Sequence, residues 1–345
     1  MSAITLGEDL VHYEKLGRGR PVILIHGWLG SWRYWIPLMQ QLHLKYSVYT
    51  LDLPGFGDST KNPSRYTLAR MVDTLYEFMD KLSIPKAAFL GHGLGAMLLA
   101  EFALHNPDKV ARLLLSSLPL FDPGDLEDRV PAGIQVQLTN NQVRPDAPTL
   151  VAGAADNETT DATLARPPAP SYHSAPTIVR PADNINREKL LERAREMQTG
   201  RPNPLLDIFK ERSMGQLLDK CFKRSEAVYE KLKADVDRAD NRVLESTVVG
   251  FEAGIMLDNL RRAASLTPLV VVHGEDDPVM PAPSEDIWNY LTIGKEEVLV
   301  PITIPGVRHF PMLEHEPFPR LAGDFLEATD ISKLEIRERW RRRSR

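Results

Sequence analysis

Four local patterns in this chain hold side chains that move protons or backbone that can face negative charge. His26-Gly27-Trp28 ends one apolar run, and Asp52-Leu-Pro-Gly-Phe-Gly-Asp-Ser59 follows a second. Gly91-His92-Gly93-Leu94-Gly95-Ala96 alternates glycine with other residues. The fourth is a pair, His273-Gly-Glu-Asp-Asp277-Pro and Gly306-Val-Arg-His309-Phe-Pro. Histidine and aspartate take and give protons near neutral pH, and backbone N–H groups opening a helix can hold a developing oxyanion. The 91–96 turn contains no serine, cysteine or aspartate, so no side chain within it can attack a substrate. Cys221 is the single cysteine, which excludes an internal disulfide framework and a Cys-rich metal site.

Each pattern needs an element to hold it. Val22–Ile25 is a continuous apolar run between Pro21 and Gly27, the mark of a strand buried on both faces. Tyr46–Leu51 and Ala87–Leu90 read alike, as do Val110–Ser116, Leu269–Val272 and Val298–Ile304. Leu68–Leu82 sets Met71, Leu75, Phe78, Met79 and Leu82 at helical spacing. Leu94–Leu104 and Pro317–Ala328 are further helices. Strands alternating with helices predict an α/β fold, a doubly wound and mainly parallel sheet. Between the two halves, residues 186–262 read as helical: Asn186 caps a first helix, and others run through Leu205–Phe222, Ser225–Val249 and Phe251–Ala264.

Taken together and in this order, the four patterns resemble the α/β-hydrolase superfamily, in the branch with a helical cap after the sixth strand. The resemblance covers about 1–120 and 245–330. It implies that Asp277 is the acid and His309 the base of a catalytic set, with Asp276 and Asp122 as lesser alternatives for the acid. It also implies that the backbone N–H groups of Trp28 and Leu94 form an oxyanion hole. His26, His92 and Trp32 are expected at the pocket, His26 ordering its loop by hydrogen bonding, while His273 and His315 are expected to be structural. One position departs from the family. Its turn reads G-x-S-x-G with a serine nucleophile at the tip, and here the tip is Gly93. Serine hydrolysis through an acyl-enzyme is therefore excluded at this turn.

Two readings of Gly93 follow. The tip is a strained backbone position, costing about 1–3 kcal/mol for a residue with a side chain, and glycine avoids that cost. A non-catalytic ligand-binding or interaction protein would profit from the exchange, and the Ndr-like branch of the superfamily also looks glycine-tipped. Alternatively, the Asp277–His309 dyad does acid/base chemistry without a covalent intermediate on a small apolar carbonyl or ester compound, as in the superfamily's cofactor-independent oxygenases and some lyases. No cofactor or metal is expected in either case.

Composition bounds the rest. The 345 residues are 43% hydrophobic and 26% charged, with a net charge of −5, which argues against nucleic acid as the partner of the whole chain. No apolar run reaches about 18 residues, so no membrane span is expected. The first residues show no basic stretch followed by an apolar one, so a cytoplasmic protein without a signal peptide is expected. Proline is abundant at 27, and ten of these lie between Pro119 and Pro181, where aromatics almost vanish. The chain accordingly divides into a first core part (1–121), a Pro-rich unstructured insertion (122–185), a helical cap (186–262), a second core part (263–330) and a basic tail (331–345). The insertion and the tail are the candidate segments for a protein partner.

Overall fold

The computed structural model describes residues 2–129, 203–210 and 212–334, and its strands form one eight-stranded sheet. They are β1 (Ser2–Leu6), β2 (Asp9–Leu16), β3 (Arg20–Ile25), β4 (Tyr46–Leu51), β5 (Ala87–His92), β6 (Val110–Ser116), β7 (Leu269–Gly274) and β8 (Leu299–Ile304). The spatial order is β1-β2-β4-β3-β5-β6-β7-β8. From β4 to β8 every neighbouring pair is parallel. Every residue of β4, β5 and β7 is buried, which is why these strands read as unbroken apolar runs.

The sequence reading missed β1 and β2, which add two antiparallel strands at one edge. They form a hairpin around Gly7-Glu8, with Gly7 at φ +63°. A two-residue hairpin loop demands that left-handed conformation. Their buried and exposed residues are interleaved, with Leu10 at 46% exposure, so no continuous apolar run announces them.

The helices are α1 (Ile36–Leu42), α2 (Leu68–Lys81), α3 (Leu94–His105), α4 (Pro204–Phe209), α5 (Met214–Cys221), α6 (Ala227–Val236), α7 (Arg242–Val248), α8 (Ala253–Ala264), α9 (Glu285–Thr292), α10 (Pro311–Glu314) and α11 (Phe318–Glu327). Helix α2 buries one face through Met71, Leu75, Phe78 and Met79. Helix α3 is apolar nearly all round and is buried accordingly.

Helices α4–α8 fall between β6 and β7, and two of the expected long helices are each broken in two. Ser213 starts α5 afresh, since its hydroxyl accepts from the Gln216 N–H while the Gln216 side chain accepts from the Ser213 N–H. Between α6 and α7 the chain turns so that the Asp240 N–H donates to Gly55 C=O at 2.8 Å. Residues 130–202 of the expected insertion and helical block, and the tail beyond 334, lie outside the described residues. Among the described residues no helix is long and apolar enough to cross a membrane.

All four sequence patterns lie at the carboxyl ends of parallel strands. His26 follows β3, Asp52 follows β4, Gly93 follows β5, Asp277 lies three residues beyond β7 and His309 five beyond β8. That edge is where open α/β sheets bind ligands.

His26, His92, His273 and His309 are fully buried at these strand ends, and burial pushes His26 and His92 below the ordinary imidazole value of 6.5 and His273 down to about 4. The folded state thus selects neutral rings, whose contribution is complete above pH 6.5 and is lost as the pH falls. His12 runs the other way, because its hydrogen bond to Asp52 raises it; that contribution is complete below 6.5 and is lost as the pH climbs through its raised value. Between pH 6.5 and 5.5 the unfolding free energy is expected to fall, and His273, held down at about 4, contributes about 1 kcal/mol of that fall. Urea midpoints across that window check this, and a flat profile would contradict it.

Candidate active site

The turn from β5 into α3 places Gly93 at φ +52° and ψ −111°. A Cβ built there would meet the edge of the Trp28 indole at 3.3 and 3.4 Å, and no backbone atom closer than Gly27 Cα at 3.6 Å. Gly95 is more constrained, since a Cβ there would collide with the carbonyl oxygens of Ile25 and His26. The second glycine is thus required by the packing of α3 against the end of β3. Leu94 opens α3, so its N–H is among the donors the helix itself leaves free.

His309 and Asp277 meet in the buried interior. His309 Nδ1 lies 2.8 Å from Asp277 Oδ2, and both side chains are inaccessible. Asp277 Oδ1 accepts the N–H groups of Val279 at 2.8 Å and Met280 at 2.9 Å. Burial drives this carboxyl up, but His309 and the two N–H groups outweigh it and hold Asp277 below the ordinary value, ionised. The Asp122 carboxylate is engaged elsewhere, accepting the Gly124 N–H at 2.7 Å, and the backbone N–H of Asp276 donates to Val307 C=O. His309 Nε2 is buried and has no hydrogen-bond partner among the described residues.

The backbone of His309 is fixed as firmly as its ring. Its carbonyl accepts from His92 Nε2 at 2.8 Å and from the Ser117 hydroxyl at 3.0 Å. With Nε2 donating, His92 presents Nδ1 as an acceptor to Tyr34, whose hydroxyl is 3.0 Å away and itself accepts the Gly27 N–H at 2.6 Å. A continuous chain of buried hydrogen bonds therefore runs from the loop after β3, through the turn after β5, to the loop after β8. His92 and His309 rings lie 4.7 Å apart between centroids, which brings the Gly93 turn beside the pair.

The remaining predicted residues occupy different places. Trp28 is 1% exposed; its indole packs on Phe209 at 5.0 Å and donates to Thr247 Oγ1 at 2.9 Å. Both nitrogens of His26 are used within its loop, Nδ1 toward Gly27 C=O at 2.8 Å and Nε2 toward the Leu53 N–H at 3.0 Å. Trp32 lies instead beside Asp52, its N–H donating to Oδ1 at 3.0 Å and its ring 5.7 Å from His12.

Sequence reasoning missed Ser117, the bonding role of Tyr34, and the α4–α8 residues that reach the site. Ser117 gave one signal only in hindsight of geometry: it holds φ +48°, rare for a non-glycine residue. Among the described residues, His12, Asp52 and Asp58 form the one group close enough to share a metal. Asp52 bonds His12 and backbone N–H groups, and Asp58 pairs with Arg33 at 2.6 Å, so both carboxylates have protein partners.

Comparison with known proteins bears on the fold. The family model described as alpha/beta hydrolase fold matches residues 20–316. RutD of Caulobacter vibrioides, a carbamate hydrolase by name, is 40% identical over 121 residues, 33% of this chain and 45% of that protein. The matched stretch thus spans less than half of that relative. A hydrolase from Pseudomonas aeruginosa PA01 has a similar structure, with a TM-score of 0.60 at 17% identity over 95% of this chain and 98% of the other. So does a serine-to-glycine mutant of the N-acyl homoserine lactonase AidH complexed with N-hexanoyl homoserine lactone, with a TM-score of 0.58 at 19% identity over 96% and 98%. With its parallel sheet, its strand-end loops and a family match across most of its length, this chain belongs to the alpha/beta hydrolase fold family.

Proposed function

We propose that this protein carries out acid/base chemistry without a covalent intermediate, using His309 and Asp277 on a small apolar carbonyl or ester compound. The observation that carries this reading is His309 Nε2, buried and without a partner while Nδ1 is tied to Asp277. Leaving such a nitrogen unpaired costs about 1–3 kcal/mol, which a scaffold gains nothing by keeping. In this reading Gly93 stands at the family's nucleophile position and leaves room for water where a serine hydroxyl would bond Nε2. His309 Nε2 takes a proton from that water, and the oxygen adds to the carbonyl carbon. The carbonyl electrons move onto oxygen, opposite the N–H groups of Trp28 and Leu94. Collapse breaks the bond to the leaving group, which receives the proton back from His309. Asp277 holds the ring in the tautomer that keeps Nε2 basic and stabilises the imidazolium between the two transfers. The carbamate hydrolase named among the relatives supports a carbonyl carbon as the target.

A second reading has its own support. The Trp28 indole lies over Gly93 and is almost wholly buried, as in a protein that keeps the fold and has filled the site. Turnover separates the two. A panel of small esters, lactones and carbamates is expected to include a substrate whose hydrolysis drops about 10²–10⁴-fold in His309→Gln, the range for removal of a general base. Binding of such compounds with no turnover, unchanged in His309→Gln, would favour the second reading.

The elbow gives an independent check. The unmodified protein is expected to resist a fluorophosphonate probe, whereas Gly93→Ser is labelled at residue 93. The substitution requires the Trp28 ring to yield by a few tenths of an ångström, and the strained turn is expected to cost about 1–3 kcal/mol of stability. Labelling is read by intact-protein mass spectrometry, and labelling of the unmodified chain would place the nucleophile elsewhere.

A further inference from the structure

A contact between the helices after β6 and the loop after β8 surrounds the proposed base. Arg308, immediately before His309, aims its guanidinium at Glu226 just ahead of α6, with Nη1 3.2 Å from Oε1 and Nη2 3.0 Å from Oε2. Its Nε lies 2.7 Å from Glu314 Oε2. Glu314 also accepts the N–H groups of Arg308 at 3.2 Å and Phe310 at 2.9 Å, so one carboxylate holds the backbone on both sides of His309. The same guanidinium lies 4.8 Å over the ring of Phe222, which packs 5.3 Å from Phe310, and Phe310 lies 5.1 Å from His309. Ion pair and ring stack therefore reach His309 from one stretch, residues 222–226.

We propose that Glu226 is a positioning residue for His309, acting through Arg308, so that the helices after β6 set how the base sits and how open it is. This rests on the reading of His309 as the base and adds a control on it. The logic is geometric. Glu314 fixes the loop locally but belongs to the same loop and helix as His309. Glu226 comes from a distant part of the chain, and a two-pronged carboxylate–guanidinium contact transmits orientation as well as charge. Glu226 and Arg308 are each about one-third exposed, at 33% and 30%, so salt weakens the grip without unfolding the surroundings.

The test reads His309 directly and does not need turnover. Diethyl pyrocarbonate acylates accessible neutral imidazoles, and peptide mass spectrometry resolves His309 from His26 and His273, which are equally buried and serve as internal controls. Glu226→Gln is expected to raise the rate at His309 at least about threefold at low salt, with His26 and His273 unchanged. Added salt should raise the wild-type rate toward that of the variant. Arg308→Met, which also releases Glu314 and Phe222, should raise the rate at least as much, and the double variant no more than Arg308→Met alone, since the Glu226 contact is already gone. An unchanged rate at His309 in Glu226→Gln, or an equal rise at all three histidines, would overturn the proposal. A selective rise at His309 in a protein that turns over nothing would keep the positioning role and reject only the catalytic reading. Should Arg308→Met fail to fold, Glu226→Gln at a site one-third exposed still decides.

Discussion

A carboxylate cannot stay charged in a protein interior unless donors replace the water it has lost, and Asp277 is inaccessible to solvent. Its donors are supplied by two different devices. The turn after β7 folds back so that Val279 and Met280 point their N–H groups at Oδ1, and the loop after β8 brings His309 to Oδ2. The two work together: against the burial that drives the carboxyl up, His309 and the two N–H groups hold Asp277 below the ordinary carboxylate value. The pair thereby fixes the relative position of the last two strands' loops. Tyr34, His92 and Ser117 extend the same fixation to the loops after β3, β5 and β6. Five loops are thus registered against one another through groups that exclude water.

That arrangement explains which parts of the molecule were legible beforehand. Strands β4, β5 and β7 declared themselves because a strand buried on both faces has no polar side to show. Asp277 and His309 declared themselves because they sit in short motifs fixed by the turns that carry them. The β1–β2 hairpin did not, since it lies at the sheet margin, where half its side chains meet water. Residues 205–222 and 225–249 had continuous helical character, and what broke them was capping at Ser213 and a backbone bond from Asp240 to Gly55. The second is a tertiary event with no local trace. Ser117 and Glu226 were illegible for the same reason: a hydroxyl bonded to a carbonyl 192 residues away, and a carboxylate 82 residues from its guanidinium, have no spacing to read.

Trp28 shows how one side chain bears on both readings of function. Its indole lies beside Gly93, and the indole N–H donates to Thr247 from α7 while Phe209 from α4 packs on its ring. The helices after β6 therefore act on the Gly93 turn from one side through Trp28 and on the His309 loop from the other through Arg308. Ser31 adds a third attachment, donating to the buried carboxylate of Asp235 in α6 at 2.7 Å. A helical segment joined at three points to the strand-end loops has little freedom to shift at one without disturbing the others.

The pairing of β6 with β7 carries a consequence for how the protein is made. Leu113 pairs with Leu269, and the chain between them includes α4–α8. Closing a loop on the order of 150 residues rather than on the order of 15 adds only about 2 kcal/mol of chain entropy, so the long excursion is thermodynamically tolerable. Its cost is in time, because contacts so remote in sequence form late. Strands β3 to β6 can assemble as soon as they are synthesised, with the Gly93 turn already in place. Asp277 and His309 arrive only after β7 has found β6 and β8 has found β7. During translation the glycine turn therefore precedes its partners, and the Asp277–His309 contact forms only when the last strands have docked.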